Sequence, residues 1–295
     1  MNYIFENLEK GEYLLKVSLI AKSTSPIVLW GNHRQFLINE TLSQGEKLER
    51  AIPICIKDAD FQKQPDYRDT SLQLTLTGDC DASFSIEKAK LPTLYTLGDS
   101  TVCNQANIGE GALYRCGGWG QALPLYLNGK YAVSNHAEQG THTQNCLECH
   151  LLKVLEQIKE GDVVLCQFGH NDQKQSWLSA FEGYMENIIK IGKMVAEKGG
   201  EFAVCSPINR LIYIDGKLNN YLDDWRDGAK KAAELLGVQY IDLHSLTSAL
   251  YENLGADAEN LFYHSPELDR THPNDFGAIK IAEFVSAELK KGGKI

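Results

Sequence analysis

Apolar and polar positions alternate through the first ninety residues of the chain. Glu12 to Ile20 (EYLLKVSLI), Ile27 to Trp30, Gln35 to Asn39, Leu48 to Ile56, Ser71 to Thr77 (SLQLTLT) and Ala82 to Ile86 are β-rich runs set apart by turn residues. No segment of helical period lies between them, so they predict a small antiparallel β-sandwich. At Glu87 to Pro92 (EKAKLP) charge and a proline break the alternation. That break divides the chain into an N-terminal β part, residues 1–90, and a second part, residues 91–295.

After Pro92 the pattern changes to short, almost continuous apolar runs: Thr93 to Leu97, Ala132 to Ser134, Asp162 to Phe168, Glu201 to Ser206 and Gln239 to Leu243. Such runs suit strands buried on both faces. Amphipathic stretches at 120–128, 145–159, 180–198, 219–236, 245–254 and 275–291 alternate with them. In the last of these, Phe276, Ile279, Ala282, Val285 and Leu289 recur every three or four residues as one apolar stripe. The expectation is an α/β fold with a five-stranded parallel sheet, whose functional loops leave the carboxyl ends of the strands.

Composition narrows the function. Of 295 residues, 43% are hydrophobic and 23% charged, with only 8 Pro and 25 Gly, which excludes a disordered or collagen-like chain. The formal net charge is −10 and no Lys/Arg stripe is present, so a nucleic-acid partner is not expected. No run is long and apolar enough for a membrane span, and the N-terminus MNYIFENLEKGEYLLK lacks the basic and apolar regions of an export leader. Together with eight cysteines that need no disulfide scaffold, this leads us to expect a cytoplasmic protein without a membrane partner.

Polar residues gather at four strand and helix edges. The first run leads into Gly98-Asp99-Ser100-Thr101, where Ser100 is either a nucleophile or a helix-capping hydroxyl. The second leads into Ser134-Asn135-His136-Ala137-Glu138-Gln139-Gly140, where Gly140 either brings a backbone N–H to a ligand or simply turns the chain. The third ends in Phe168-Gly169-His170-Asn171-Asp172, whose Asn171 amide suits either a developing oxyanion or an Asx turn. Before the last helix stands Asp269-Arg270-Thr271-His272, a surface turn or a carboxylate–imidazole dyad sharing one turn. His136, His142 and Trp177 are candidate substrate contacts. Cys146-x-x-Cys149-His150 has no second pair at finger spacing, so helix packing is expected rather than a metal. The stretches Asn104 to Arg115 and Gln173 to Ser179 are polar and lack the lining a long acyl chain needs.

Taken together, GDSTV, GGWG at 117–120, N-x-A-x-x-G at 135–140, FGHND and DRTH resemble the SGNH (GDSL-type) hydrolases, and most of all their rhamnogalacturonan acetylesterase group. The resemblance covers about Thr93 to Lys290 and implies a three-layer, flavodoxin-like hydrolase domain behind the sandwich. It implies Ser100 as nucleophile, His272 and Asp269 completing a triad, and the Ser100 N–H, Gly140 N–H and Asn171 amide as oxyanion donors. The implied activity is removal of O-acetyl groups from plant cell-wall oligosaccharides of rhamnogalacturonan or xylan type, without a cofactor. Two alternatives stand beside it: a short-chain lipase or thioesterase of the same superfamily, and a non-catalytic carbohydrate-binding protein. For the N-terminal part, sugar binding and a structural wall beside the site are both open.

Overall fold

Strand alternation builds the N-terminal part of the computed structural model, which describes residues 1–61, 64–105, 116–219, 221–264 and 267–295. In chain order its strands are β1 (Asn2–Glu6), β2 (Gly11–Ala21), β3 (Ser25–Trp30), β4 (Phe36–Leu42), β5 (Lys47–Ile56), β6 (Asp58–Phe61), β7 (Gln64–Arg68), β8 (Ser71–Thr77) and β9 (Cys80–Lys88). One antiparallel sheet runs β1-β8-β3-β4 and faces a second, β5-β2-β9. Leu15, Val17 and Leu19 of β2 interdigitate with Ile27 and Leu29 of β3 and with Leu72, Leu74 and Leu76 of β8, while the intervening residues face outward. All six sequence runs become strands. The pattern misses β1, whose alternation is half exposed, and the β6–β7 pair, which is short and rich in charge.

Past Pro92 the elements are β10 (Thr93–Gly98), a 3-10 segment (Trp119–Tyr126), β11 (Ala132–Asn135), α1 (Thr143–Asn145), α2 (Leu151–Gln157), β12 (Val163–Gln167), α3 (Tyr184–Glu197) and β13 (Glu201–Cys205). They continue with β14 (Tyr213–Ile214), β15 (Lys217–Leu218), α4 (Asp223–Leu236), β16 (Gln239–Ile241), α5 (Leu243–Leu254), β17 (Phe262–His264), β18 (Leu268–Pro273) and α6 (Asp275–Lys291). The parallel sheet has the order β11-β10-β12-β13-β16. Every residue of β10 and β12 is buried, which explains their unbroken apolar composition. Alternate residues serve opposite faces. Leu94, Val163 and Leu165 pack with Trp119, Leu123, Ile281 and Val285, whereas Leu97, Val164 and Cys166 pack with Leu151, Ile188, Ile191 and Ala229. The result is a three-layer, flavodoxin-like α/β arrangement with its switch point at the carboxyl end of β10.

Two expectations are corrected here. The 120–128 stretch is a 3-10 segment, because Pro124 denies it a continuous α-helical ladder. The 145–159 stretch is α1 and α2 joined through a π turn at Cys146–His150. The N-terminal part also shares a core with the rest. Phe36, from β4, lies in the buried cluster of Leu123 and Ile281, with Val28 and Trp30 packed against it.

Candidate active site

Leaving β10, the chain turns at Asp99, whose carbonyl accepts from the N–H groups of Val102 and Cys103, both at 3.0 Å. This turn presents Ser100 at the edge of the sheet, almost buried. Ser100 Oγ lies 2.8 Å from His272 Nε2, and His272 Nδ1 lies 2.6 Å from Asp269 Oδ2. The carboxylate only accepts, so Nδ1 carries the proton and Nε2 is left to accept from the serine hydroxyl. Asp269 Oδ1 receives the N–H groups of Thr271 at 2.8 Å and His272 at 3.0 Å, so both carboxylate oxygens are held. Burial pushes the Asp269 carboxyl up, but the His272 contact and these N–H donors outweigh it and bring it to about 2. Asp269 and His272 were expected on a turn. They lie on β18, paired antiparallel with β17, and the two backbone donors supply the local turn that lets residues three apart meet on a strand.

The oxyanion candidates come from the next two strand ends. After β11, His136 N donates to Thr96 O at 2.9 Å and Glu138 N to Gly98 O at 3.2 Å, which lays this loop along the exit of β10. Gly140 follows with φ +83°, and a Cβ there would meet nothing within 4 Å, so conformation rather than space calls for glycine. Among the described residues, neither the Ser100 nor the Gly140 N–H donates to a protein acceptor. Asn171, after β12, donates from Nδ2 to Thr141 O at 3.1 Å and accepts at Oδ1 from Lys174 Nζ at 3.0 Å. An ammonium can only donate, so Lys174 fixes which end of the amide is oxygen and leaves the second Nδ2 hydrogen free. These three N–H groups suit the negative charge of a tetrahedral intermediate.

A buried polar relay lies beneath Ser100. Trp119 Nε1 donates to Gln167 Oε1 at 2.8 Å, Gln167 Nε2 donates to Thr101 Oγ1 at 2.7 Å, and Thr101 Oγ1 donates to Asp99 Oδ1 at 2.8 Å. The second Asp99 oxygen stands 3.4 Å from His170 Nδ1. Burial raises the Asp99 carboxyl, yet His170 and the Thr101 donors keep it below the usual carboxylate range. Gln105 Nε2 donates to Ser100 O at 2.9 Å, and Gln121 Oε1 accepts from Gln105 N at 3.0 Å. The glycines of the GGWG block allow this packing, since a Cβ on Gly118 would come within 2.2 Å of Cys103 O. Asn135 joins the loops by donating to Val102 O at 2.9 Å and accepting from Thr96 Oγ1 at 2.7 Å.

The tentative substrate contacts divide. His136 is wholly buried with Nε2 2.9 Å from Ser134 Oγ, and burial drives its pKa well below the ordinary value, so it is a neutral core group and not a substrate contact. His142 is half-buried and caps α1, accepting from Asn145 N at 3.3 Å. Its ring meets Trp177 edge-on at 5.5 Å, and Trp177 is 59% exposed. These two rings stand on the loops that carry Gly140 and Asn171. Cys146 is buried in the helix, and His150 Nε2 lies 3.3 Å from Thr141 Oγ1, supporting the Gly140 loop. Among the described residues no group of three or more His, Cys, Asp and Glu is arranged to hold a metal. The polar stretch read from Asn104 to Arg115 lies, from residue 106 onward, outside the described residues.

Sequence reasoning missed Lys174, Gln105, Gln167 and the buried role of Asp99, and it missed Arg34 of the N-terminal part. Arg34, 7% exposed, pairs with Asp275 and donates to Gln105 O at 2.9 Å and Cys116 O at 3.1 Å. Only the spacing of Asp99 and Thr101 around Ser100 carried a readable hint, as an Asx-type turn.

Residues 96–278 match the model of the GDSL-like lipase/acylhydrolase family. Over 189 residues the chain is 29% identical to the rhamnogalacturonan acetylesterase RhgT of Bacillus subtilis, covering 60% of this chain and 82% of that protein. The crystal structure of protein YxiM from Bacillus subtilis covers 99% of this chain and 80% of its own at 26% identity, with a TM-score of 0.62. Axe2, an acetylxylan esterase from Geobacillus stearothermophilus, shares the fold at 15% identity with a TM-score of 0.52, over 68% of this chain and 96% of that one. No helix among the described residues is long and apolar enough to cross a membrane. The chain belongs to the GDSL-like lipase/acylhydrolase family and is a carboxylic ester hydrolase.

Proposed function

We propose that this protein is a serine acetylesterase that removes O-acetyl groups from plant cell-wall oligosaccharides of rhamnogalacturonan or xylan type. The observation that carries the reading is the unbroken line from Ser100 Oγ through His272, at 2.8 Å, to Asp269, at 2.6 Å. In this mechanism Ser100 attacks the ester carbonyl while His272 Nε2 takes the hydroxyl proton and then delivers it to the departing sugar hydroxyl. Asp269 keeps the imidazole in the required tautomer and faces the imidazolium that forms. The Ser100 and Gly140 N–H groups and the free Nδ2 hydrogen of Asn171 receive the oxyanion. Water, activated by the same imidazole, then releases acetate from Ser100.

The acetyl preference is supported by the names of the relatives and by the polar Gln173 to Ser179 segment beside Asn171, which offers no apolar channel for a long acyl chain. Acetate release from acetylated rhamnogalacturonan, xylan and mannan oligosaccharides tests the proposal. Wild type releases acetate from at least one of the first two, and Ser100→Ala loses activity by on the order of a millionfold. Full activity of Ser100→Ala, or an optimum on aryl esters of eight carbons or more, refutes it.

A further inference from the structure

Asn171 opens a short turn that brings a cation back over its own side-chain amide. Gln173 N donates to Gly169 O at 3.1 Å, Lys174 N to Asn171 O at 3.1 Å and Gln175 N to Asp172 O at 2.9 Å, so the chain winds through Asp172–Lys174 as one 3-10 turn. Asp172 anchors it from beneath. This buried carboxylate accepts from Thr143 N at 2.9 Å and Thr143 Oγ1 at 2.6 Å through Oδ1, and from Gly169 N at 3.0 Å through Oδ2. Asn187 Nδ2, on α3, donates to Thr143 Oγ1 at 3.1 Å and holds that partner in turn.

From this mount Lys174 directs its charge at an amide. Its Nζ donates to Asn171 Oδ1 at 3.0 Å, and among the described residues it has no other hydrogen-bond partner and no carboxylate at ion-pair distance. Lys153, Lys231 and Lys280, by contrast, each pair with a glutamate three residues on. Thr141 O, 3.1 Å from Asn171 Nδ2, can only accept, so it settles the orientation of the amide by itself. What the ammonium adds is charge at the amide oxygen. A cation bound there draws electron density from the Nδ2–H bonds, and hydrogen bonds in series strengthen one another. The free Nδ2 hydrogen, proposed above as an oxyanion donor, becomes the stronger for it. Lys174 is exposed, and a contact in open water would be screened, but its acceptor Asn171 is buried and the bond lies partly inside the protein.

We infer that Lys174 polarises the Asn171 amide and so lowers the barrier to the tetrahedral intermediate, as a positioning residue that acts through Asn171 and touches no reacting atom. The inference deepens the proposed mechanism and rests on the oxyanion role of Asn171. It is independent of the sugar, because the oxyanion forms on the carbonyl oxygen of any ester.

Steady-state kinetics on an aryl acetate separate charge from orientation. Lys174→Gln keeps a neutral donor for Asn171 Oδ1, Lys174→Arg keeps donor and charge, and Lys174→Met keeps neither. The value of kcat should fall about three- to tenfold in Lys174→Gln, about ten- to thirtyfold in Lys174→Met and less than about threefold in Lys174→Arg, with KM within about twofold throughout. In an Asn171→Ala background, Lys174→Gln should change kcat by less than about twofold, because the amide it acts through is gone. Since Lys174 is exposed, all three variants should melt within about 2 °C of wild type by circular dichroism. Wild-type kcat in Lys174→Gln, a loss carried by KM, equal losses in Lys174→Arg and Lys174→Met, or an undiminished loss in the Asn171→Ala background overturns the inference. A wild type that cleaves aryl acetates but no acetylated oligosaccharide refutes the substrate proposal and leaves this inference standing, whereas a wild type that cleaves no ester refutes both.

Discussion

Replacing Arg34 by methionine keeps the aliphatic stem and removes the charge that joins the sandwich to the candidate site. In the wild type the guanidinium satisfies the carbonyls of Gln105 and Cys116 and pairs with Asp275 in the first turn of α6, three residues after His272. Removing one member of a buried pair costs about 3–5 kcal/mol, because the remaining groups keep their desolvation without compensation. Asp275 retains 22% of its side-chain exposure and rehydrates in part, which favours the lower end, about 3 kcal/mol. At about 2–4 °C per kcal/mol for a chain of this size, the melting temperature should fall about 6–12 °C. Activity should fall further than stability alone requires. Gln105, whose carbonyl Arg34 holds, donates to Ser100 O, and misplacing a reacting group by an ångström costs on the order of a hundredfold. Circular-dichroism melts and aryl acetate kinetics at a temperature where Arg34→Met is fully folded measure the two effects separately. A double-mutant cycle with Asp275→Asn should give a coupling of about 1–3 kcal/mol. A melt within about 2 °C of wild type, or strict additivity with Asp275→Asn, refutes the reasoning.

Three further variants test the same geometry. Asp269→Asn leaves the imidazole without its orienting acceptor, and kcat should drop by on the order of ten-thousandfold in steady-state assays. Because the folded-state carboxyl is lowered to about 2 from 3.8, its contribution to stability is complete above about pH 4 and is lost as pH falls through 2; acid melts of Asp269→Asn should therefore be flatter than wild type over that window. Asn171→Ala should lose about a hundred- to a thousandfold in kcat with little change in KM, and a pure KM effect would remove Asn171 from the oxyanion site. Trp177→Ala should raise KM for an acetylated oligosaccharide about three- to tenfold, while an unchanged KM would mean that its exposed face meets no sugar.

The residues proposed to touch the reacting atoms were legible because chemistry marks them at strand ends. Ser100 after β10, Gly140 after β11 and Asn171 after β12 each follow an apolar run, and a parallel sheet brings such ends together. The residues that hold them were not. Gln105, Gln121 and Gln167 are ordinary polar letters until folding buries them, and a buried amide announces itself only through its partners. Arg34 was still less visible, because its reach depends on positive φ at both His33 (53°) and Arg34 (59°), a conformation that no side chain at these positions signals. His136 misled for the converse reason. A histidine inside the 135–140 block, four residues before Gly140, reads as polar, and only the burial of β11's exit turns it inward against Ser134.

The relation between the sandwich and the site follows from what Arg34 and its neighbours touch. A module tethered for sugar capture needs only a linker and a thin polar contact, since its binding face must look away from the enzyme. Here Phe36 is buried among Leu123 and Ile281, Gln35 donates to Val133 O at 3.4 Å on β11, and Gln121 Nε2 donates to Arg34 O at 3.1 Å. These contacts lie on the strand that precedes Gly140 and the 3-10 segment that bears Trp119. Separating the two parts would therefore expose core side chains and strand a buried cation near the Ser100 loop, so the sandwich is packed into the α/β part and not merely linked to it.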